Sequence, residues 1–392
     1  MKEKRPFVPF ELPLKDKVNP LGFINELVKA NTKIGIYNTL LNQSKINKRL
    51  LIAPIALQEA VLSTKIEGTQ VTVDDVLESK VDDKAANEDI QEVFNYANAL
   101  VNGKELLERL PISTRLIKEL HKRLLDGNVR GNSRAPGEFR QIQNFIGPEG
   151  CTIKNASFIP PEPQLVEKYI SNLENYINYP QDDLDPLVKI AIIHAQFETI
   201  HPFLDGNGRI GRILIPLYLF KEGIIDEPNF FLSESLEKDK HKYYRLLNDT
   251  REEAKWNEWI KFFLESSIKQ ADKNIQLISE INSLYERDLE KVKSILNTSK
   301  VTDIMDVMFE KPIFNAKIMS EMTGINITTI RRYLLQLENE KIIFSDDKLR
   351  NRKYYYYDLI DNIEDKRNLI TSFIEYFTYD SDTKQIKFKI RL

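Results

Sequence analysis

Cysteine occurs once, at Cys151, and histidine only four times in 392 residues. An intramolecular disulfide is therefore excluded, a structural zinc cluster is disfavoured, and a reducing, cytoplasmic setting is expected. Long apolar runs are missing as well. The longest, Ile213–Phe220, is broken by Pro216, far short of the roughly 20 residues that span a bilayer. The first residues, MKEKRPFVPFELPL, hold no apolar core of a secretory signal. Neither sign of charge dominates: 56 Lys and Arg face 59 Asp and Glu, for a net charge of −3. That excludes a polybasic nucleic-acid coat and leaves room only for a local basic patch. Repeats and low-complexity segments are absent too. What is present is ordinary globular composition, 42% hydrophobic and 29% charged, in a length that suggests two or three domains at roughly 150 residues each.

The pattern is helical for most of the chain, so a mainly α fold is expected. Residues 1–20 hold four prolines and read as an extended arm. A helix is predicted to begin near Ala53, with Pro54 in its first turn and Gly68 as its stop. Amphipathic helices are predicted over Glu88–Val101 and Ser113–Leu125. Residues 127–163 cluster glycine and proline and predict a loop with a small hairpin from Gln141–Ile146 and Cys151–Ile153. Asp185-Pro186 opens an apolar helix to about Ile200. Further helices are predicted over about Asn207–Gly223, Lys238–Asn248 and Trp256–Asn297. Residues 300–360 order themselves as helix, helix, Thr323-Gly324 turn, helix, then two β-rich pieces about Ser345–Arg352, the order of a winged helix.

The chemistry concentrates in His201-Pro-Phe-Leu-Asp-Gly-Asn-Gly-Arg-Ile-Gly-Arg212. Two glycines flank Asn207 just before a helix, where backbone can approach a ligand and free N–H groups attract an anion. Arg209 and Arg212 are three apart and share a helix face. Two guanidinium groups beside such donors describe a polyphosphate cradle. Asp205 would repel that anion unless a cation such as Mg²⁺ lay between them. His201, just outside the loop, can accept a hydroxyl proton near neutrality. A single Gly-Asn-Gly is usually a turn and a lone histidine usually structural; their concurrence in one short stretch points to a site.

That stretch resembles the signature of the Fic (Fic/Doc) family, H-P-F-x-[D/E]-G-N-G-R-x-x-R, at every fixed position. The likeness extends to LIAPIALQEAVLSTKIEGT at 51–69, to Gly137-Glu-Phe-Arg140 and Ile159-Pro-Pro161 as borders of a target-aligning flap, and to Tyr243-Tyr244. It covers about residues 10–360. The resemblance implies transfer of AMP from ATP to a Tyr, Thr or Ser hydroxyl of a protein, itself included. His201 would be the base and Asp205 the holder of Mg²⁺. Gly206, Asn207, Gly208, Arg209, Ile210, Gly211, Arg212 and Tyr244 would form the ATP site. The retained G-N-G-R core favours AMP over phosphate transfer.

Ser63, Glu67 and Gly68 fit the family's inhibitory pattern [S/T]-x-x-x-E-[G/N]. The resemblance puts the Glu67 carboxylate on Arg212, in competition with the γ-phosphate. The implied organisation is an N-terminal helical region over 1–110 with the inhibitory helix and a catalytic core with a β-hairpin flap over 111–270. A connecting helix over 271–299, a winged helix over 300–360 and a C-terminal extension over 361–392 follow. Two alternatives stay open: a DNA-binding regulator with a Fic sensor core, and an enzyme that removes AMP through Glu67. Residues 331–353 carry seven basic and four acidic side chains, a surplus that allows DNA or protein contacts. A homodimer is possible, and a membrane partner is not expected.

Overall fold

Apolar residues spaced three and four apart draw most of this chain into helices, and a computed structural model shows how they pack. It describes residues 5–392 apart from 45, 82–86, 149, 180, 347, 349, 364–373, 381–384 and 391–392. The helices are α1 (Ile24–Gln43), α2 (Lys48–Ile66), α3 (Val73–Ser79), α4 (Glu88–Leu107), α5 (Thr114–Leu124), α6 (Val166–Asn178), α7 (Pro186–Ile200) and α8 (Asn207–Lys221). They continue as α9 (Ser233–Lys238), α10 (Lys240–Glu252), α11 (Trp256–Ile295), α12 (Val301–Glu310), α13 (Ala316–Thr323), α14 (Ile327–Asn339) and α15 (Tyr357–Ile363). The strands are β1 (Ile313–Asn315), β2 (Phe344–Ser345), β3 (Lys353–Tyr355), β4 (Ile374–Asp380) and β5 (Gln385–Ile390). The fold is mainly helical. Among the described residues, no helix is long and apolar enough to cross a membrane.

The chain divides into two compact units, one of residues 1–43, 59–72 and 85–275, the other of 44–58, 73–84 and 276–392. In the first, α7 is buried on all sides from Leu187 to Ile200. Asp185 caps it by accepting from Leu187 N at 2.8 Å, with Pro186 in the first turn, as expected. Helix α8 packs against α7, and α4 against α5 and α8. The Trp259 indole donates to Ala191 O at 2.8 Å, tying α11 to α7. The described part of the N-terminal arm has no regular structure until short 3₁₀ turns at Lys15–Lys17 and Pro20–Gly22, so the expected extended arm is interrupted; Phe7 N donates to Ile159 O at 3.0 Å and Gln196 to Phe10 O at 2.6 Å.

In the second unit, β1, β3 and β2 form an antiparallel sheet in that order, Phe314 opposite Tyr354 and Ser345 opposite Tyr354. Helices α13 and α14 meet through Gly324, whose φ of +70° ends α13. Tyr354 and Tyr356 are buried while Tyr357 is exposed. The strand ends at Tyr355, and α15 begins at Tyr357. The C-terminal extension lies in part outside the described residues; its described backbone pairs β4 with β5, Ile374 opposite Ile390.

Two expectations are corrected. Helix α2 begins at Lys48, not Ala53, so Pro54 lies in its interior. Leu50, Leu51 and Ile55 are all buried, and burial of that face outweighs the backbone bond proline gives up. The expected hairpin is reduced to a single bridge, Ile146 to Phe158. Cys151–Ile153 are not part of it. Asn155 holds a turn by accepting from Thr152 N at 2.6 Å, and Gln143 donates to Pro160 O at 2.9 Å in place of a ladder.

Candidate active site

The loop between α7 and α8 is set by proline and clamped by arginine. Pro202 disfavours right-handed helix for the residue before it, and His201, the residue that caps α7 after Ile200, turns to φ +48°. Arg140 is fully buried and donates through Nε to His201 O at 2.9 Å and through Nη2 to Pro161 O at 2.6 Å, while its own N–H reaches Pro202 O at 2.9 Å. The Asn207 amide braces the loop, accepting from Phe203 N at 2.8 Å and donating to Phe203 O at 2.9 Å. The Phe203 ring stacks on His121 at 3.7 Å. His121 accepts from Gly137 N at 2.8 Å through Nδ1 and meets Asp205 O at 3.0 Å through Nε2. Burial lowers His121 to about 4, so it is neutral and serves as a strut.

Helix α8 follows Gly206, φ +74°, with no side chain capping its first turn. The Glu67 carboxylate lies against this end: a Cβ on Gly208 would stand 2.3 Å from Glu67 Oε1. Arg212, itself buried, donates through Nη2 to Glu67 Oε1 at 2.7 Å and to Ser63 O at 2.9 Å, and through Nε to Ser63 Oγ at 2.8 Å. Burial alone would raise the Glu67 carboxyl; the Arg212 charge and hydrogen bond outweigh it and hold it below its usual range. Gly68, φ +113°, ends α2 beside Arg130, whose Nη1 donates to Glu67 O at 2.9 Å. A buried guanidinium and an uncapped helix N-terminus thus meet one carboxylate, the arrangement of an anion site.

Arg209 faces elsewhere. It is fully buried, donating through Nη1 to Glu92 Oε2 at 2.7 Å and through Nη2 to Asp205 Oδ1 at 3.3 Å. The expected contact with β- and γ-phosphates would require it to leave Glu92. Asp205 Oδ1 also accepts from Gly206 N at 2.6 Å, and its side chain keeps 23% exposure at the loop mouth. Among the described residues no group of three His, Cys, Asp or Glu gathers for a metal. One half-exposed carboxylate beside an anion cradle fits Mg²⁺, which takes few protein ligands and completes its shell with phosphate oxygens and water.

His201 keeps 20% side-chain exposure, while its Nδ1 is buried without a hydrogen-bond partner. Burial, then the Arg251 charge, lowers it to about 4, so at neutral pH it is a free base. Tyr244 is 39% exposed and packs on Tyr243 at 4.9 Å; burial and the Glu67 charge raise its phenol. Ile210 is in the core, and Gly211 gives room to Glu198, whose Oε1 would lie 2.4 Å from a Cβ there. The loop motif, Ser63, Glu67 and Gly68 are therefore brought together. Sequence reasoning missed His121, Glu92, Arg130, Glu198 and Arg251. Only Glu198 left a signal, three residues before His201 on one helix face.

Residues 111–219 match the Fic/DOC family, and residues 24–105 match the N-terminal region of that family. The two matched stretches follow one another along the chain. A probable protein adenylyltransferase of Aquifex aeolicus is 30% identical over 176 residues, 43% of this chain and 49% of that protein. A protein adenylyltransferase Fic of Drosophila grimshawi is 27% identical over 226 residues, 56% of this chain and 43% of that protein. The matches span at most about half the length of these curated relatives. A solved Fic family protein from Desulfovibrio desulfuricans G20 shares the fold, with a TM-score of 0.56 at 19% identity, covering 90% of this chain and 98% of that one.

Proposed function

We propose that this chain is an autoinhibited protein adenylyltransferase that moves AMP from ATP to a Tyr, Thr or Ser hydroxyl of a protein, itself included. The observation that carries the reading is the Glu67 carboxylate on Arg212 and Gly208 at the uncapped start of α8, a phosphate-type site filled by the protein's own anion. The relatives named protein adenylyltransferase agree with it.

His201 takes the hydroxyl proton as that oxygen attacks the α-phosphorus. A new O–P bond forms, the bond to the bridging oxygen breaks, and pyrophosphate leaves. The N–H groups at Asn207 and Gly208 bind α- and β-phosphate oxygens, with Gly206, whose N–H is held by Asp205, letting the backbone come close, and Arg212 takes the γ-phosphate once Glu67 yields it. Arg209 steadies Asp205 from behind. A divalent ion held by Asp205, Mg²⁺ by its donor chemistry, would supply charge neutralisation on the phosphates. The single cysteine suits a cytoplasmic setting.

Residues 300–360 we read as a winged helix, from the α13–α14 turn and the β1-β3-β2 sheet. Three of the seven basic side chains over 331–353 are paired: Lys348 with Asp346 at 3.1 Å, Arg352 with Glu338 at 3.5 Å and buried Lys353 with Glu78, outside this stretch, at 3.3 Å. That favours protein contacts over DNA. The test of the main reading is incubation of the Glu67→Gly protein with α-labelled ATP. Label on protein is expected, and its absence with every hydroxyl-bearing acceptor offered would refute the activity.

A further inference from the structure

We propose that Arg130 and Lys240 are positioning residues that latch the end of α2 and so aim the Glu67 carboxylate at Arg212. The inference rests on the autoinhibited adenylyltransferase reading and adds to it two residues that belong to neither motif. The backbone itself closes the end of α2 through Lys65. Glu67 N and Thr69 N donate to Thr64 O at 3.0 and 3.3 Å, and Gly68 N donates to Lys65 O at 3.0 Å. Gln70 N, the donor next in register, turns instead to Asp89 Oδ2 at 3.2 Å. Ile66 O and Glu67 O are the carbonyls that a helix end leaves to outside partners. Each is met by a cation from another element. Lys240, the first residue of α10, donates through Nζ to Ile66 O at 2.7 Å. Arg130, in the loop after α5, donates through Nη1 to Glu67 O at 2.9 Å.

Those two carbonyls belong to the peptide groups on either side of the Glu67 Cα. A peptide group is planar, so holding both planes holds φ and ψ of Glu67, and with them the direction in which its side chain leaves the backbone. The carboxylate then meets Arg212 Nη2 at 2.7 Å. Gly68 follows at φ +113°, a residue with wide backbone freedom, so the restraint at this turn comes from the cations. Arg130 is aimed in its turn. Its Nη2 lies 3.4 Å from Glu92 Oε2, the same oxygen that takes Arg209 Nη1 at 2.7 Å, so the latch stands on a buried carboxylate that also ties down α8. The Arg130 side chain is 42% exposed and Lys240 is half-buried. Water can take over both donors when Glu67 withdraws, which suits a contact that has to open. Cations at the last carbonyls also stabilise any helix end. Capping of that kind acts on α2 whatever stands at position 67, whereas a latch acts only through Glu67.

The experiment uses the full chain and compares Arg130→Met, Lys240→Met and the double variant, each with Glu67 present and in the Glu67→Gly background. Methionine keeps an apolar stem and removes the donors. With Glu67 present, each single change should raise the initial rate of α-label transfer roughly 2- to 5-fold, a modest gain because both donors are partly exposed. The double variant should gain more, without passing the Glu67→Gly rate. Arg130→Lys, which keeps a donor, should give back part of the restraint and gain less than Arg130→Met. In the Glu67→Gly background the same changes should leave kcat and the KM for ATP within about twofold, since no carboxylate remains to be aimed. Hydrogen exchange at the Glu67 and Gly68 amides should quicken in the double variant that keeps Glu67. An unchanged or lowered rate with Glu67 present, or an equal gain in both backgrounds, would overturn the inference. A higher KM for ATP in the Glu67→Gly background would do the same, by giving the side chain to the nucleotide. If the Glu67→Gly protein transfers no label at all, the adenylyltransferase reading fails. The exchange comparison then still decides the latch, and unchanged exchange at Glu67 and Gly68 would overturn it.

Discussion

Helices α8 and α14 both follow a short turn, and each carries two arginines near its start. Their first turns are finished differently. Gly206 precedes α8 in left-handed conformation and offers no side chain to its N–H groups. Asn326 precedes α14 and accepts from Thr328 N at 2.9 Å. The arginines differ in the same sense. Arg209 and Arg212 are buried and face the carboxylates of Glu92, Asp205 and Glu67, whereas Arg331 and Arg332 are exposed. A helix end completed by its own cap has little left to offer an anion. An end left incomplete, with desolvated guanidinium beside it, needs an anion from elsewhere. In α8 that anion is Glu67, and the proposed substrate supplies its replacement.

The largest effect expected at the α8 end is loss of the base. His201→Ala should lower the rate of α-label transfer by ~10² to 10⁴, while nucleotide binding, read by calorimetry, stays. Transfer within a few-fold of wild type would take His201 out of the mechanism. Next in size is Gly208→Ala. The new Cβ would stand 2.3 Å from Glu67 Oε1 and 3.0 Å from Arg212 Nη1. Glu67 can swing away, but a phosphate seated there cannot. ATP affinity should drop by roughly tenfold or more, with thermal stability nearly unchanged. Tight ATP binding by that variant would move the anion site away from α8.

Glu67→Gly sharpens the comparison from the other side. Removing the internal anion leaves the α8 end and Arg212 open, and transfer should rise ~10-fold, since a charge-assisted hydrogen bond contributes about 1.5–3 kcal/mol. Adding Arg212→Ala should cancel the gain, because the released donor is gone. Initial rates for wild type, both single variants and the double variant give the coupling. Equal rates for wild type and Glu67→Gly would remove the brake from the account.

These residues were not equally legible. His201 to Arg212 lie in one loop and one helix turn, so spacing alone brings them together. Glu67 is 145 positions from Arg212 in the chain, and only the family resemblance joined them before the fold did. Glu92 reaches Arg209 across 117 positions, and the Arg140 clamp spans 61 to His201 O; no local period encodes such pairs. Helix α2 was placed late because Pro54 looks like a helix start, and only packing shows that its face is worth burying. The flap failed as a hairpin for the opposite reason. Its β-prone residues are real, but Asn155 satisfies Thr152 N within the turn and the Gln143 side chain takes Pro160 O across the loop.

The smallest effect lies at the capped end. In α14 the Asn326 side chain holds Thr328 N at 2.9 Å, and the helix buries Ile330, Leu334 and Leu337 in the second unit. Asn326→Ala removes one capping bond and leaves one first-turn N–H to water. The expected loss is about 1 kcal/mol, seen as a lower urea midpoint for the unit holding α14 with an unchanged slope. Asn326→Gly should lose only a few tenths of that energy unit, since glycine exposes the same N–H groups to solvent while fitting the cap conformation. Transfer by the Glu67→Gly protein should be indifferent to both changes. A rise in anion affinity at α14 after decapping would support the idea that incompleteness alone makes an anion site. No rise is the outcome expected here, because Arg331 and Arg332 remain in water, where their attraction for an anion is screened.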